Sequence, residues 1–158
     1  MQKIEPLQQA FGELFEHLEL READLLDEQS ILRACRGSDY IVHTASPYDI
    51  METDESKLVR PAVEGTLAIM KAARINMVRK VVLTSSMSAV SDTKDLSINH
   101  FTPELWSDPS TQSHYPKSKT LAEKAAHDFV HKLGEHEKFD LVCLNPSYIL
   151  GPNLTKCK

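Results

Sequence analysis

The sequence predicts an α/β fold, a parallel sheet covered by helices on both faces. Two observations carry this reading. Strand-like and helix-like patterns alternate from one end of the chain to the other. Several strands are continuously apolar, as strands buried beneath helices are. Composition sets the scale: 158 residues, 41% hydrophobic and 26% charged, suit one globular domain and hardly two. No internal repeat, low-complexity tract or linker divides the chain.

The elements follow in order. Ile4, Leu7, Phe11, Leu14, Phe15 and Leu18 recur at helical spacing and predict a helix. Leu18 to Ala23 alternates apolar and polar residues, which predicts a short strand ending at Asp24. Asp27 is placed to cap a helix through Ile31, Leu32 and Ala34 that stops at Gly37. Tyr40 to Ala45 is a strand rich in β-formers. A long helical pattern runs from about Asp54 to Ile75, with Pro61 marking a kink or an early turn. Val81-Val82-Leu83 is the heart of a buried strand that ends in Thr84-Ser85-Ser86. The polar connection after it is too long for an ordinary turn. A third long helix starts near Ser113 and carries Leu121, Ala122, Ala125, Phe129 and Leu133. Leu141 to Leu144 is the last strand, closed by Asn145-Pro146.

Charge and residue counts exclude whole classes of function. The net charge of −5 argues against a nucleic-acid binder, because phosphate contacts need clustered Lys and Arg. Three widely spaced cysteines, Cys35, Cys143 and Cys157, form no C-x-x-C pair and fit a reducing compartment, so a cytoplasmic location is expected. No stretch approaches the roughly 20 apolar residues of a spanning helix, and the start lacks a signal-like apolar region. Of five glycines, the closest two are Gly134 and Gly151, so the chain contains no glycine-rich phosphate loop. The sequon Asn153-Leu154-Thr155 is read as a chance match.

The chemistry-bearing residues cluster at predicted strand ends and at one helix start. Tyr115 and Lys119 stand four apart, on one helix face and within reach of each other. A free tyrosine has a pKa of about 10, and a fixed ammonium nearby favours its phenolate. Such a pair also occurs as a plain surface pair. Ser85 and Ser86 end a strand, where open α/β sheets bind ligands; a strand-capping serine is the plainer reading. No G-x-S-x-G is present, so neither serine sits on a hydrolase elbow. Asp24, Thr44-Ala45-Ser46-Pro47 and Pro146-Ser147 also stand at predicted strand ends and leave room for a ligand across the sheet edge. His127 and His131 have a spacing that a metal could use, but the sequence shows no obvious acidic or cysteine third ligand, and we expect a solvated helix face and no metal. Trp106, in the long connection, packs either over a ligand or as a loop anchor.

Six motifs occur in order: Ala23-Asp24-Leu25, His43-Thr44-Ala45-Ser46-Pro47, Arg60 to Thr66, Lys80 to Ser86, Tyr115 to Glu123, and Asn145 to Pro152. Together they resemble the extended short-chain dehydrogenase/reductase family, in its dihydroflavonol 4-reductase-like and cinnamoyl-CoA reductase-like branch of the NAD-dependent epimerase/dehydratases. The resemblance spans nearly the whole chain. It implies a partial NAD(P)-binding Rossmann domain over residues 1–158 and an NAD(P)(H)-dependent oxidoreductase acting on a small carbonyl or alcohol. Ser86 would polarise the substrate carbonyl, Tyr115 would act as general acid or base, and Lys119 would lower the tyrosine pKa and hold the nicotinamide ribose. Asp24 and Leu25 would lie against the adenine; Thr44, Ala45 and Ser46 would line the middle of the cofactor; Pro146, Ser147, Tyr148 and Ile149 would flank the nicotinamide.

The chain also departs from that family. It resembles the stretch that begins on the helix before the third strand, so the first two strands and their glycine-rich turn are expected to be missing, as is the region after the Pro146 motif that binds substrate. In the family order 3-2-1-4-5-6 this removes the centre of the sheet. The strand near Leu20 would lose its neighbour, and the strand at Tyr40 would expose an edge for a second copy or a partner to cover. Ala62 stands where some relatives carry a fourth catalytic residue, an asparagine. Ser91 stands where plant dihydroflavonol reductases contact substrate through an asparagine. We therefore expect the isolated chain to be inactive or nearly so. Two alternatives stay open: a non-catalytic binding or regulatory relative, and epimerase, dehydratase or hydroxysteroid dehydrogenase chemistry on the same scaffold.

Overall fold

The structure, a computed structural model, describes residues 4–49, 51–92 and 97–151. Cys157 and the sequon at Asn153 lie outside the described residues. The chain divides into two compact units, one of Met1–Glu22 with Tyr148–Lys158 and one of Ala23–Ser147.

In the first unit, helix α1 (Glu5–Phe11) gives way to a 3₁₀ segment, Gly12–His17. The expected single helix is broken at Gly12, whose φ of 53° only glycine adopts readily.

The second unit holds a parallel sheet and its helices. Strands β1 (Tyr40–His43), β2 (Lys80–Thr84) and β3 (Asp140–Leu144) lie in the order β1-β2-β3, all parallel. Register aligns Ile41, Val81 and Leu141 in one row, and His43, Leu83 and Cys143 in another on the same face. Those rows pack into the core beneath the helices. The row on the other face, Val42, Val82 and Val142, leaves Val42 67% and Val142 39% exposed.

The strand expected over residues 18–24 does not form: among the described residues these take no part in a ladder, and a strand needs a partner's hydrogen bonds. Three strand ends, and not four, therefore meet at the carboxyl edge of the sheet. Asp24 instead opens a turn: its Oδ1 accepts from Leu26 N at 2.8 Å, and its N–H donates to Ser30 Oγ at 2.9 Å.

Helix α2 (Glu28–Ala34) is capped as the sequence implies, with Asp27 accepting from Gln29 N and Ser30 N. Helix α3 (Val59–Ile75) starts later than expected, because the residues before it form a separate 3₁₀ turn, Glu55–Lys57, capped by Asp54. Pro61 lies in its first turn, where a missing N–H costs nothing. The buried stripe of α3, through Ala62, Thr66, Ile69 and Ala73, recurs at helical spacing. It packs along helix α5 (His114–His131), whose buried face holds Ser118, Ala122 and Ala126. Small residues on both faces let the two helix axes approach closely. Gly65 instead lets α3 approach the turn before α2: a Cβ there would lie 2.9 Å from Leu25 Cβ.

Candidate active site

The site lies at the carboxyl edge of the sheet, where β1, β2 and β3 end and α5 begins. Ser85 N donates to Leu144 O at 2.8 Å, and Met87 N to Pro146 O at 3.0 Å, which zips the turns after β2 and β3 together. Asn145 adds a double clamp, donating Nδ2 to Ser86 O at 3.0 Å and to Glu123 Oε2 at 2.8 Å. Ser86 Oγ accepts from Ser88 N at 3.2 Å, at the entry to the short helix α4 (Ser88–Ser91). The backbone of α4 is tied to α5 in turn: Gln112 Nε2 donates to Ser88 O at 2.8 Å, and Thr120 Oγ1 donates to Gln112 Oε1 at the same distance. Ser86 and the start of α5 are thus parts of one hydrogen-bonded assembly.

Ala45, Ser46, Ser85 and Lys119 line a small cradle of about 10 Å³, together with His43, Thr66 and Glu123. Lys119 is 7% exposed, and burial lowers its pKa. Its Nζ donates to Thr84 O at 3.5 Å and lies 5.8 Å from the centre of the Tyr115 ring. Tyr48 packs edge-on against Tyr115 at 5.1 Å. Burial, and after it the charge of Tyr48, push the Tyr115 phenol above its ordinary value. This runs against the direction that the resemblance implies for Lys119, whose ammonium lies by the ring and reaches back to a carbonyl of β2. His43 is buried at the floor of the site. Desolvation, and then the Lys119 charge, hold its pKa down to about 4, so it is neutral near pH 7.

Not every expected residue joins this assembly. Thr44 is exposed and does not line the cradle. Asp24 holds its own turn, and Leu25 packs on the core and against Gly65. Pro146 contributes through its carbonyl, and Ser147, the next residue, is exposed. Tyr148 and Ile149 belong to the other compact unit and are exposed. Trp106 packs on α5, edge-on to His127 at 5.9 Å and beneath the Lys124 ammonium at 5.2 Å, as a loop anchor does. Sequence reasoning gave no role to His43, Tyr48, Glu123 or Asn145. Of these, only His43 and Asn145 carried a signal, each standing beside a strand end in a quoted motif.

A nicotinamide cofactor fits one end of this edge. The buried Ser85 Oγ has no hydrogen-bond partner among the described residues, and the Lys119 ammonium has one long bond; both are donors suited to a ribose. At the other end, the five scattered glycines offer no turn to cradle a pyrophosphate.

A parallel sheet flanked by helices, with its strand ends turned toward one edge, is a Rossmann-type architecture. The chain belongs to the 3-beta hydroxysteroid dehydrogenase/isomerase family, whose model matches residues 6–158. Among curated relatives it is 38% identical over 151 residues to tetraketide alpha-pyrone reductase 1 of Arabidopsis thaliana, covering 88% of this chain and 44% of that protein. It is 40% identical over 144 residues to cinnamoyl-CoA reductase 1 of Petunia hybrida, covering 88% of this chain and 41% of that protein. Among solved structures it is similar to yeast methylglyoxal/isovaleraldehyde reductase complexed with NADPH, at a TM-score of 0.74 and 31% identity, over 96% of this chain and 49% of that one. The chain thus spans less than half the length of these relatives. Among the described residues, no helix is long and apolar enough to cross a membrane.

Proposed function

We propose that the chain carries the acid/base half of an NAD(P)(H)-dependent oxidoreductase that interconverts a small carbonyl compound and its alcohol. The observation that carries this is the joining of the Ser86 turn to the start of α5, which bears Tyr115 and Lys119, at the carboxyl edge of a parallel sheet. NAD(P)H supplies the hydride when bound. Ser86 hydroxyl donates a hydrogen bond to the substrate oxygen. Tyr115 hydroxyl delivers its proton to that oxygen, or removes one in the oxidative direction. Lys119 and the orphaned Ser85 hydroxyl hold the ribose hydroxyls, with Ala45 and Ser46 beside them. Asp24 and Leu25 supply the adenine contacts. Reduction is favoured over epimerase or dehydratase chemistry, because each relative described above is named a reductase. We place the protein in the cytoplasm, on its cysteine usage.

The isolated chain lacks a pyrophosphate cradle, and it turns over little on its own. The test compares NADPH binding and carbonyl-dependent NADPH oxidation in the 158-residue chain and in the same chain joined to a glycine-rich strand-turn upstream and a substrate region downstream. We expect no saturable binding by the first, and binding with turnover by the second. A joined protein that binds NADPH but never oxidises it would favour the second reading, a binding module, to which the raised Tyr115 pKa lends support.

A further inference from the structure

We infer that Glu123, His127 and Cys143 form a binding site for a zinc-type divalent transition-metal ion that ties helix α5 to strand β3. Glu123 and His127 stand one turn apart on α5 and share a face. Cys143 lies on the core face of β3, in register with Leu83 and His43. Helix spacing places Glu123 beside His127, and the fold adds Cys143, 16 residues on along the chain.

The spacing suits one ion. His127 Nε2 lies 3.5 Å from Cys143 Sγ and 3.9 Å from Glu123 Oε1, and the three ligand atoms are all within 4.8 Å of one another. A tetrahedral ion bonded at about 2.3 Å to sulfur and about 2.0 Å to nitrogen sets those two atoms about 3.5 Å apart. Bringing the carboxylate onto the same ion closes its 3.9 Å separation from the imidazole by about half an ångström and draws it toward the sulfur as well, since zinc–oxygen bonds are about 2.0–2.2 Å.

The surroundings are those of a supported site. Glu123 is 4% exposed, and Asn145 holds its Oε2, which leaves Oε1 toward the histidine. The His127 ring is steadied by Trp106 and borders a cavity of about 420 Å³ that also reaches His131. An ion would reach the cluster from the side of His127, the one proposed ligand that borders this cavity. Thiolate, imidazole and carboxylate together favour zinc or cobalt over calcium or magnesium. As the metal–sulfur bond forms, the Cys143 thiol gives its proton to solvent; neutral His127 donates its Nε2 lone pair, and the Glu123 carboxylate adds a second negative charge to match the ion. The Asn145 clamp also reaches Ser86 O, so a bound ion would brace the turn beside the active site.

The test titrates the reduced, metal-free 158-residue chain with cobalt(II) chloride and follows its absorbance. We expect a near-ultraviolet thiolate-to-cobalt charge-transfer band that saturates at one cobalt per chain and is displaced by zinc. The band should vanish in Cys143→Ser and persist in Cys35→Ser. His127→Gln, a change at a partly exposed position, should weaken cobalt binding by at least about tenfold. Far-ultraviolet circular dichroism accompanies each variant. No band at excess cobalt, a band that survives Cys143→Ser, or undiminished affinity in His127→Gln would overturn the site and leave these side chains as a plain hydrogen-bonded cluster.

Discussion

His43 is the residue whose chemistry departs furthest from its sequence neighbours. It sits on β1 with its ring toward the core, beside a buried lysine, and is neutral by necessity. Its folded pKa of about 4 lies below its ordinary 6.5, so the unfolded chain binds the extra proton first. The stability this neutral ring contributes is fully present above pH 6.5 and is lost as pH falls toward 4. The loss amounts to about 3 kcal/mol at most. Urea unfolding at pH 7 and pH 4.5 should show it, and His43→Gln should flatten that part of the profile. An unchanged profile in the variant would remove His43 as its cause. Lys119 shares the same ground. Burial lowers its pKa, and its hydrogen bond to Thr84 O is a long one, at 3.5 Å.

At the scale of elements, the close contact between α3 and the turn at Leu25 is the sharpest feature. Helix propensity favours alanine over glycine by about 1 kcal/mol. At Gly65 the added methyl would meet Leu25 Cβ at 2.9 Å, and overpacking of that kind costs about 1–3 kcal/mol. Gly65→Ala should therefore lower the melting temperature; Leu25→Ala, which keeps the Cβ but removes the Cδ2 that the methyl would meet at 3.0 Å, should recover only part of the loss. Full additivity in that double-mutant cycle would show that the two sites do not meet. Most elements were legible in the sequence: α2, α3, α5 and the three strands follow from periodicity, caps and β-rich runs. The misses have physical reasons. A strand over 18–24 could not be judged from alternation, because pairing depends on a neighbour distant in sequence. The break at Gly12 reflects a backbone choice that apolar spacing does not record.

At the scale of the molecule, the fold brings strand ends and one helix start to a common edge. That Ser86 would follow a strand end and Tyr115 and Lys119 would open a helix was legible, because a motif carries them. Asn145 and Glu123 were not given roles, because their meeting depends on the packing of α5 over β3, and the same packing brings His127 to Cys143. The direction of the Tyr115 pKa was also beyond the sequence: spacing puts a lysine near the ring, but only packing decides whether its ammonium faces the phenol or a strand carbonyl. We propose Tyr115 as the proton donor in carbonyl reduction. The most direct test of this role is Tyr115→Phe in the chain joined to a glycine-rich strand-turn and a substrate region, with NADPH oxidation and NADPH affinity measured side by side. A general acid contributes about 10²–10⁴-fold, so turnover should fall by at least about a hundredfold while cofactor affinity holds. Turnover retained close to that of the unsubstituted protein would contradict the claim.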